Sequence, residues 1–285
     1  MKIQTFSIVA GTALCNAHCP YCISKMTPKQ GIDLAEPRIN WRNFRKACRL
    51  AQINRVTTVL LTGKGEPILY PKQLTQFLEH LNEYDFPLIE LQTNGILLAR
   101  EDYEKYLKKW YDLGLTMIAI SIVHYAKEKN QQIFSQNYPD LEELTNKLHK
   151  LGFSIRLSCT LLKGYAEDAN EIEKLIEYAK RIGVEQLSIR KLAVPLKSEN
   201  KQIIDWAKKH IVDEKEIKKI KNFLEKNGNK LLTSGDAVLY DLNGQNVCLT
   251  DALTIDPETD NLRQIIFFPD GHLKFDWQFR GATLI

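Results

Sequence analysis

Ile3-Gln-Thr-Phe-Ser-Ile-Val-Ala10, then Gly11-Thr-Ala-Leu14, then Cys15-Asn-Ala-His-Cys19-Pro-Tyr-Cys22 is the stretch on which the fold turns. Its first part is rich in Ile, Val, Phe and Thr, the composition of a strand. The loop behind it carries three cysteines as C-x3-C-x2-C. Such spacing brings three thiolates onto one small inorganic object. On a four-iron cluster they leave one iron without a protein ligand, free to take a substrate or cofactor. A structural zinc ion is the alternative, with His18 or a remote cysteine as fourth ligand. His18 adjoins Cys19, an awkward position for the same ion, and there is no second CxxC. The spacing therefore favours iron–sulfur. Cys48, Cys159 and Cys248 are scattered, which argues against a disulfide scaffold.

The opening strand sets a rhythm. After Ile3–Ala10, β-branched runs recur at Val56–Thr62, Pro87–Thr93, Met117–Val123, Phe153–Thr160 and Gln186–Leu192. Amphipathic helical stretches fall between them at 40–54, 71–84, 101–113, 140–151 and 167–182. Gly114, Gly152 and Gly183 follow the last three, where helices commonly end. From the second strand onward the period is about 33 residues, one β-α unit each. The first interval is about 20 residues longer, and the excess is the cysteine loop. Alternating strands and helices predict a parallel sheet covered by helices, as an incomplete barrel or a doubly wound sheet.

Side-chain parity adds a second clue. Arg156, Ser158 and Thr160 share one face of the fifth strand, opposite Ile155, Leu157 and Cys159. Ser188 and Arg190 share a face of the sixth, Glu90, Gln92 and Asn94 of the third, and Ser121 faces away from Ile120 and Ile122. One face packs on helices, and the polar face lines a ligand cavity rather than the aliphatic core of a closed barrel.

Composition agrees. The 285 residues are 44% hydrophobic and 26% charged, which excludes disorder. No apolar run approaches the roughly 20 residues of a membrane span. Gln4, Thr5 and Ser7 interrupt the N-terminal run, so it reads as a strand rather than a signal peptide. The expectation is a cytoplasmic protein. A net charge of +4 permits an anionic substrate and gives no pointer to nucleic acid.

Two more motifs follow strands two and three: Thr62-Gly-Lys-Gly-Glu-Pro67 and Gln92-Thr-Asn-Gly95. Glycines allow close backbone approach, and Glu66 offers a carboxylate that suits an ammonium group. Each alone passes for an ordinary turn. Together with the cysteine loop they occupy three successive C-terminal strand ends, the rim where parallel α/β proteins bind ligands.

On these residues the sequence resembles the radical SAM superfamily. The C-x3-C-x2-C loop, with Tyr21 before the last cysteine, is similar to the cluster-binding signature. Gly63-Lys-Gly65-Glu66-Pro67 is similar to the Gly-Gly-Glu-Pro motif, with Lys64 as the departure. The resemblance spans residues 3–195 and implies an α/β fold: a partial (β/α)6 barrel over 1–195 with a C-terminal α+β extension over 196–285. It implies a 4Fe-4S cluster on Cys15, Cys19 and Cys22, and S-adenosyl-L-methionine bound through its amino group at Gly63, Gly65, Glu66 and Pro67. Tyr21 would lie near the adenine, with Asn94 also in the cofactor site. Ser121 and Ser158 match positions that contact the ribose or carboxylate, and Arg190 one that faces the methionyl carboxylate. Reductive cleavage would yield a 5′-deoxyadenosyl radical that abstracts hydrogen from a small molecule, nucleotide or peptide. Reduced flavodoxin or ferredoxin would donate the electron.

Glu90, Gln92, Arg156 and Thr160 are the candidate substrate contacts in the lumen. His124 is another, after strand four, although its parity with Ile120 and Ile122 favours a helix-facing role. Cys159 and Cys48 read as core, and Cys248 as a candidate hydrogen donor to a radical. The lysines between Lys208 and Lys230 alternate with acids and read as a solvated helix. Arg263–Phe268, Pro269-Asp-Gly271 and His272–Trp277 predict a β-hairpin that folds over the barrel mouth. A tail with only Cys248 argues against an auxiliary cluster. A glycyl-radical-enzyme activating protein is the alternative within the superfamily, though its short form lacks such a tail. A non-catalytic zinc or electron-transfer module is the alternative outside it.

Overall fold

Period-two alternation decides which face each strand buries, and the computed structural model follows it. It describes residues 2–28, 32, 35–195, 198, 200–234, 237–251 and 261–285. In chain order the elements are β1 (Lys2–Val9), α1 (Ile23–Met26), α2 (Trp41–Ile53), β2 (Thr58–Thr62), α3 (Pro71–Leu81), β3 (Leu88–Thr93) and α4 (Glu104–Asp112). Then come β4 (Met117–Ile122), α5 (Lys127–Ile133), α6 (Leu141–Lys150), β5 (Ser154–Leu161), α7 (Ala169–Arg181) and β6 (Gln186–Lys191). The remainder is α8 (Lys201–His210), α9 (Glu214–Asn227), β7 (Asn229–Ser234), β8 (Ala237–Leu242), β9 (Gln245–Asp251), β10 (Asn261–Phe267) and β11 (Leu273–Lys274).

The helices start where a side chain can satisfy the first turn. Asn40, Asp140 and Asp168 each accept a backbone N–H of α2, α6 and α7 respectively. Gly114, Gly152 and Gly183 take positive φ just past three helix ends. Burial alternates strictly along β5: Ile155, Leu157, Cys159 and Leu161 are buried, and their neighbours face the other way. The apolar faces pack on the helices, with Phe6, Phe44, Phe77 and Phe267 joining β1 and β10 to α2 and α3. Burying such side chains contributes about 1.5–3 kcal/mol each. Cys48 and Cys159 are fully buried core residues.

Among the described residues eleven strands form one sheet, ordered β11-β10-β1-β2-β3-β4-β5-β6-β9-β8-β7. The six strands read from the sequence are its centre. The tail adds a parallel strand at each edge, β10 beside β1 and β9 beside β6. It is thus woven into the wall, where the sequence reading keeps the barrel and the tail apart at residue 195. The hairpin β10–β11 forms across the expected turn, and Ile266 pairs with Lys274. Its return strand is short because Asp276 accepts the N–H groups of Gln278 and Phe279 and turns the chain away. The lysine-rich stretch is two helices. α9 buries Ile217, Ile220 and Leu224 and leaves lysines such as Lys215 and Lys218 in solvent. No helix of the described residues is long and apolar enough to cross a membrane.

Candidate active site

Parallel strands place their C-terminal ends together, so the loops after β1, β2 and β3 meet at one rim. They are bonded to one another. The Glu66 N–H donates to the Leu14 carbonyl at 2.9 Å, which ties the β2 loop to the cysteine loop. Gly65 has no alternative there, because a Cβ would run into the Leu14 carbonyl. Gly63 is less confined: a Cβ there would come 3.0 Å from the Gly65 carbonyl and 3.1 Å from that of Ala10, a tight fit. Pro67 is buried at the first position of a short 3-10 turn.

Glu66 is 3% exposed, and its carboxylate is already engaged. It accepts from the Thr93 hydroxyl at 2.7 Å, the Asn94 N–H at 2.9 Å and the Ile68 N–H at 3.2 Å. The sequence reading aims it at an ammonium group; the structure makes it a latch between the β2 and β3 ends. Burial holds its pKa up to about 7 despite those three donors. Asn94 continues the latch: its amide donates to Asn16 Oδ1 at 2.8 Å and lies 3.9 Å from Cys15 Sγ. It reaches the cofactor region through the cysteine loop.

Burial lifts the Cys15 and Cys19 thiols, and the nearness of Cys22 to both, and of Cys15 to Cys19, adds to it. Thiols raised in this way become thiolates only against a compensating cation. The Ala17 N–H donates to Cys15 Sγ at 3.4 Å, as cluster thiolates require. Among the described residues no three Cys, His, Asp or Glu side chains converge on a single-ion point. His18 is exposed at the surface. Three free cysteines on one short loop, with a backbone N–H on Cys15 Sγ, fit an iron–sulfur cluster.

Tyr21 is half-buried, and loss of solvent drives its phenol pKa well up although a hydrogen bond with the Thr160 side chain opposes this. Its ring stacks on Trp206 of α8 at 6.1 Å, and Trp206 stacks on His210 at 3.7 Å. A tail helix thus seals the cysteine loop. Thr160, a substrate candidate by sequence, is committed to Tyr21.

The polar faces of the strands line up by register. Gln92, Ala119, Arg156, Gln186 and Asn246 form one row from β3 to β9. Ala119 is small, so Arg156 reaches across it to Glu90 at 2.8 Å. Arg156 also donates to Gln186 at 2.9 Å, and Gln92 donates to Glu90 at 3.0 Å. Glu90, 2% exposed, is thereby neutralised inside the wall. The next row is Ser121, Ser158, Ser188 and Cys248. Arg190 stands one row higher, level with Thr160 and Thr250. Burial lowers its pKa while Glu90 supports its charge, and its Nε finds no acceptor among the described residues.

His124 is not on this face of the sheet. Its Nε2 lies 3.0 Å from Glu171 of α7 and its Nδ1 accepts the Ala126 N–H at 2.9 Å, so both ring nitrogens are engaged on the helix side. Burial lowers its pKa. The substrate role is corrected, and the parity with Ile120 and Ile122 is the reason. Sequence reasoning missed Cys248 as a wall residue, and an available signal could have placed it. Asn243-Gly244 takes positive φ at both residues, a hairpin turn between β8 and β9 that sets the β9 register. It also read Lys64 as a mere departure, whereas that side chain is 7% exposed at the rim.

A family model described as the radical SAM superfamily matches residues 9–179. The GTP 3′,8-cyclase of Aquifex aeolicus is 26% identical over 189 residues, 65% of this chain and 54% of that protein. The chain spans about half the length of the curated relatives it matches. Among solved structures, native anSMEcpe with bound AdoMet has a TM-score of 0.64 at 14% identity, covering 99% of this chain and 77% of that one. Streptococcus suis SuiB bound to S-adenosylmethionine has a TM-score of 0.59 at 11% identity, covering 95% and 60%. Identities this low establish a shared fold alone.

Proposed function

This chain belongs to the radical SAM superfamily, and we propose that it reductively cleaves S-adenosyl-L-methionine and directs the resulting radical at a substrate held in the barrel. The observation that carries the reading is the bonded rim: three motifs from three strand ends joined through Leu14, Glu66 and Asn94. When bound, the 4Fe-4S cluster and S-adenosyl-L-methionine supply one-electron cleavage to a 5′-deoxyadenosyl radical, which abstracts hydrogen.

The chain's own residues hold and shield. Cys15, Cys19 and Cys22 would ligate three irons, with Asn94 beside Cys15. The backbone of Gly63–Gly65, rather than the Glu66 carboxylate, is left to meet the methionyl ammonium. Tyr21, fixed by Trp206, excludes water on the adenine side. Arg190, with its unsatisfied Nε, would take the methionyl carboxylate, and Ser121 and Ser158 the ribose. Glu90, Gln92 and Arg156 form a preorganised floor for the substrate. The extension over 196–285 would close the barrel, with α8 on one side and the β10–β11 hairpin on the other. A reduced flavodoxin or ferredoxin would supply the electron. The relative's name, GTP 3′,8-cyclase, puts a purine nucleotide first among the small-molecule, nucleotide and peptide substrates to test.

Anaerobic reconstitution with iron and sulfide tests the reading. A broad visible absorbance and 5′-deoxyadenosine formed from S-adenosyl-L-methionine with dithionite are expected. Protein that binds iron and sulfide but forms no 5′-deoxyadenosine would sink the enzyme reading and leave the electron-transfer alternative.

A further inference from the structure

Lys64 stands between the two glycines of the β2 loop, nine-tenths buried, and the function above gives it no task. Its ammonium donates to Thr27 Oγ1 at 2.6 Å and lies 5.3 Å from the centre of the Trp277 ring. Among the described residues no carboxylate comes within ion-pair distance. A hydroxyl and a ring face do not carry a full negative charge, and an ammonium buried without one is costly. Methionine would fill the same space without that cost, so the charge itself is the feature to explain.

The charged groups around Lys64 identify its counterpart. Cys22 and, more weakly, Asp276 favour its charged form, whereas Lys274 opposes it and burial opposes it most. Asp276 already accepts two backbone N–H groups. Thr27 is no passive neighbour, because its hydroxyl donates to the Ile23 carbonyl in the helix that starts directly after Cys22. On the other side, Trp277 packs edge-on against Phe268 at 5.8 Å, in a patch with Val9 and Ile266. The ammonium is therefore clamped between the cysteine loop and the C-terminal hairpin, on the Cys22 side.

We propose that Lys64 is a fixed positive charge of the cluster site, held beside Cys22 by Thr27 and Trp277, and that it raises the cluster's reduction potential. The proposal rests on Cys15, Cys19 and Cys22 as the ligands. Cluster potentials follow net charge, hydrogen bonding and solvent exposure. Reduction adds one negative charge, so a nearby cation in a poorly screened site favours the reduced form. Lys64 is a positioning charge that touches neither substrate nor a reacting atom.

The test is a redox titration of the reconstituted full chain without S-adenosyl-L-methionine, followed by electron paramagnetic resonance. Lys64→Met should lower the midpoint potential, with the reduced-to-oxidised ratio at fixed potential falling about tenfold, equivalent to about 59 mV for one electron. Lys64→Arg should restore most of it, and Trp277→Leu should shift it the same way by less. An unmoved potential in Lys64→Met at wild-type iron and sulfide content overturns the proposal. So does a shift seen only with S-adenosyl-L-methionine present, which would assign the charge to that molecule's carboxylate. If Lys64→Met takes up no cluster, Lys64→Gln and Trp277→Leu decide by the same criterion. Wild-type protein that takes up no cluster overturns the ligand reading itself, a result distinct from a normal cluster with an unmoved potential.

Discussion

The rim over the ends of β1–β3 and the wall of β3–β6 and β9 differ in what their polar atoms do. At the rim, Glu66, Thr93 and Asn94 satisfy one another and Asn94 reaches on to Asn16 Oδ1, leaving Asn16 Nδ2 without a partner among the described residues. Along the wall Glu90, Arg156 and Gln186 are bonded together; above them come a row of three serines and Cys248, then Arg190, whose Nε has no acceptor among the described residues. A site whose groups satisfy one another is a scaffold. One that presents groups toward a cavity is where a ligand completes the bonding. The superfamily motifs lie on the first, and the proposed substrate contacts on the second.

The comparison breaks most visibly at the cysteines. Cys19→Ala should abolish both the visible absorbance of the reconstituted protein and 5′-deoxyadenosine formation; retention of either would remove the rim from the chemistry. Next in size is Arg156→Met, which strands the buried Glu90 carboxylate and should cost about 3–5 kcal/mol by denaturant unfolding. Adding Glu90→Leu should recover most of that loss.

Glu66→Gln probes the latch. It sets an NH2 against one of three donors and should cost about 1–3 kcal/mol. It should also remove a pH dependence of the apo-protein. The folded pKa of about 7 lies above the ordinary 4.5, so between these values the folded chain holds more protons than the unfolded one. The contribution of Glu66 is complete below the lower value and is lost as pH rises through the upper, a change of order 3 kcal/mol. Wild-type Tm should fall across this window relative to Glu66→Gln, and parallel curves would show that the three donors fully offset the burial. The smallest effect is expected at His124. His124→Gln should cost about 1 kcal/mol and leave 5′-deoxyadenosine formation unchanged; a large loss of turnover would return His124 to the cavity.

The central strands were legible because strictly alternating sequences such as Ser154–Leu161 admit one burial pattern. α5 was not. Lys127–Ile133 has almost no apolar periodicity, and the turn around it is held by Asn130, whose side chain bonds the Val123 and His124 N–H groups and the His124 carbonyl. The partners of β9 and β10 were equally hidden, since parallel neighbours are chosen by the whole sheet and leave no local mark. At the site, residue type predicted which loops matter, and parity placed Arg156 and Ser158. The direction of the Glu66 carboxylate depended on Thr93 and Asn94, two residues from another strand, and no spacing encodes it. Lys64 looked like noise in a glycine motif because its meaning comes from Thr27 and Trp277.

The Thr5 hydroxyl donates to the carbonyl of Arg263, 258 residues away, along the seam between β1 and β10. During synthesis β1 emerges long before β10, and this flank stays an unpaired strand edge until β10 arrives. Such late, long-range pairing makes folding slow and exposes the edge to other chains. The cysteine loop hangs from that strand, so the platform for the metal chemistry waits on β10. Expression at low temperature, or with a chaperone that shields nascent edges, should therefore raise the yield of folded protein able to take up iron.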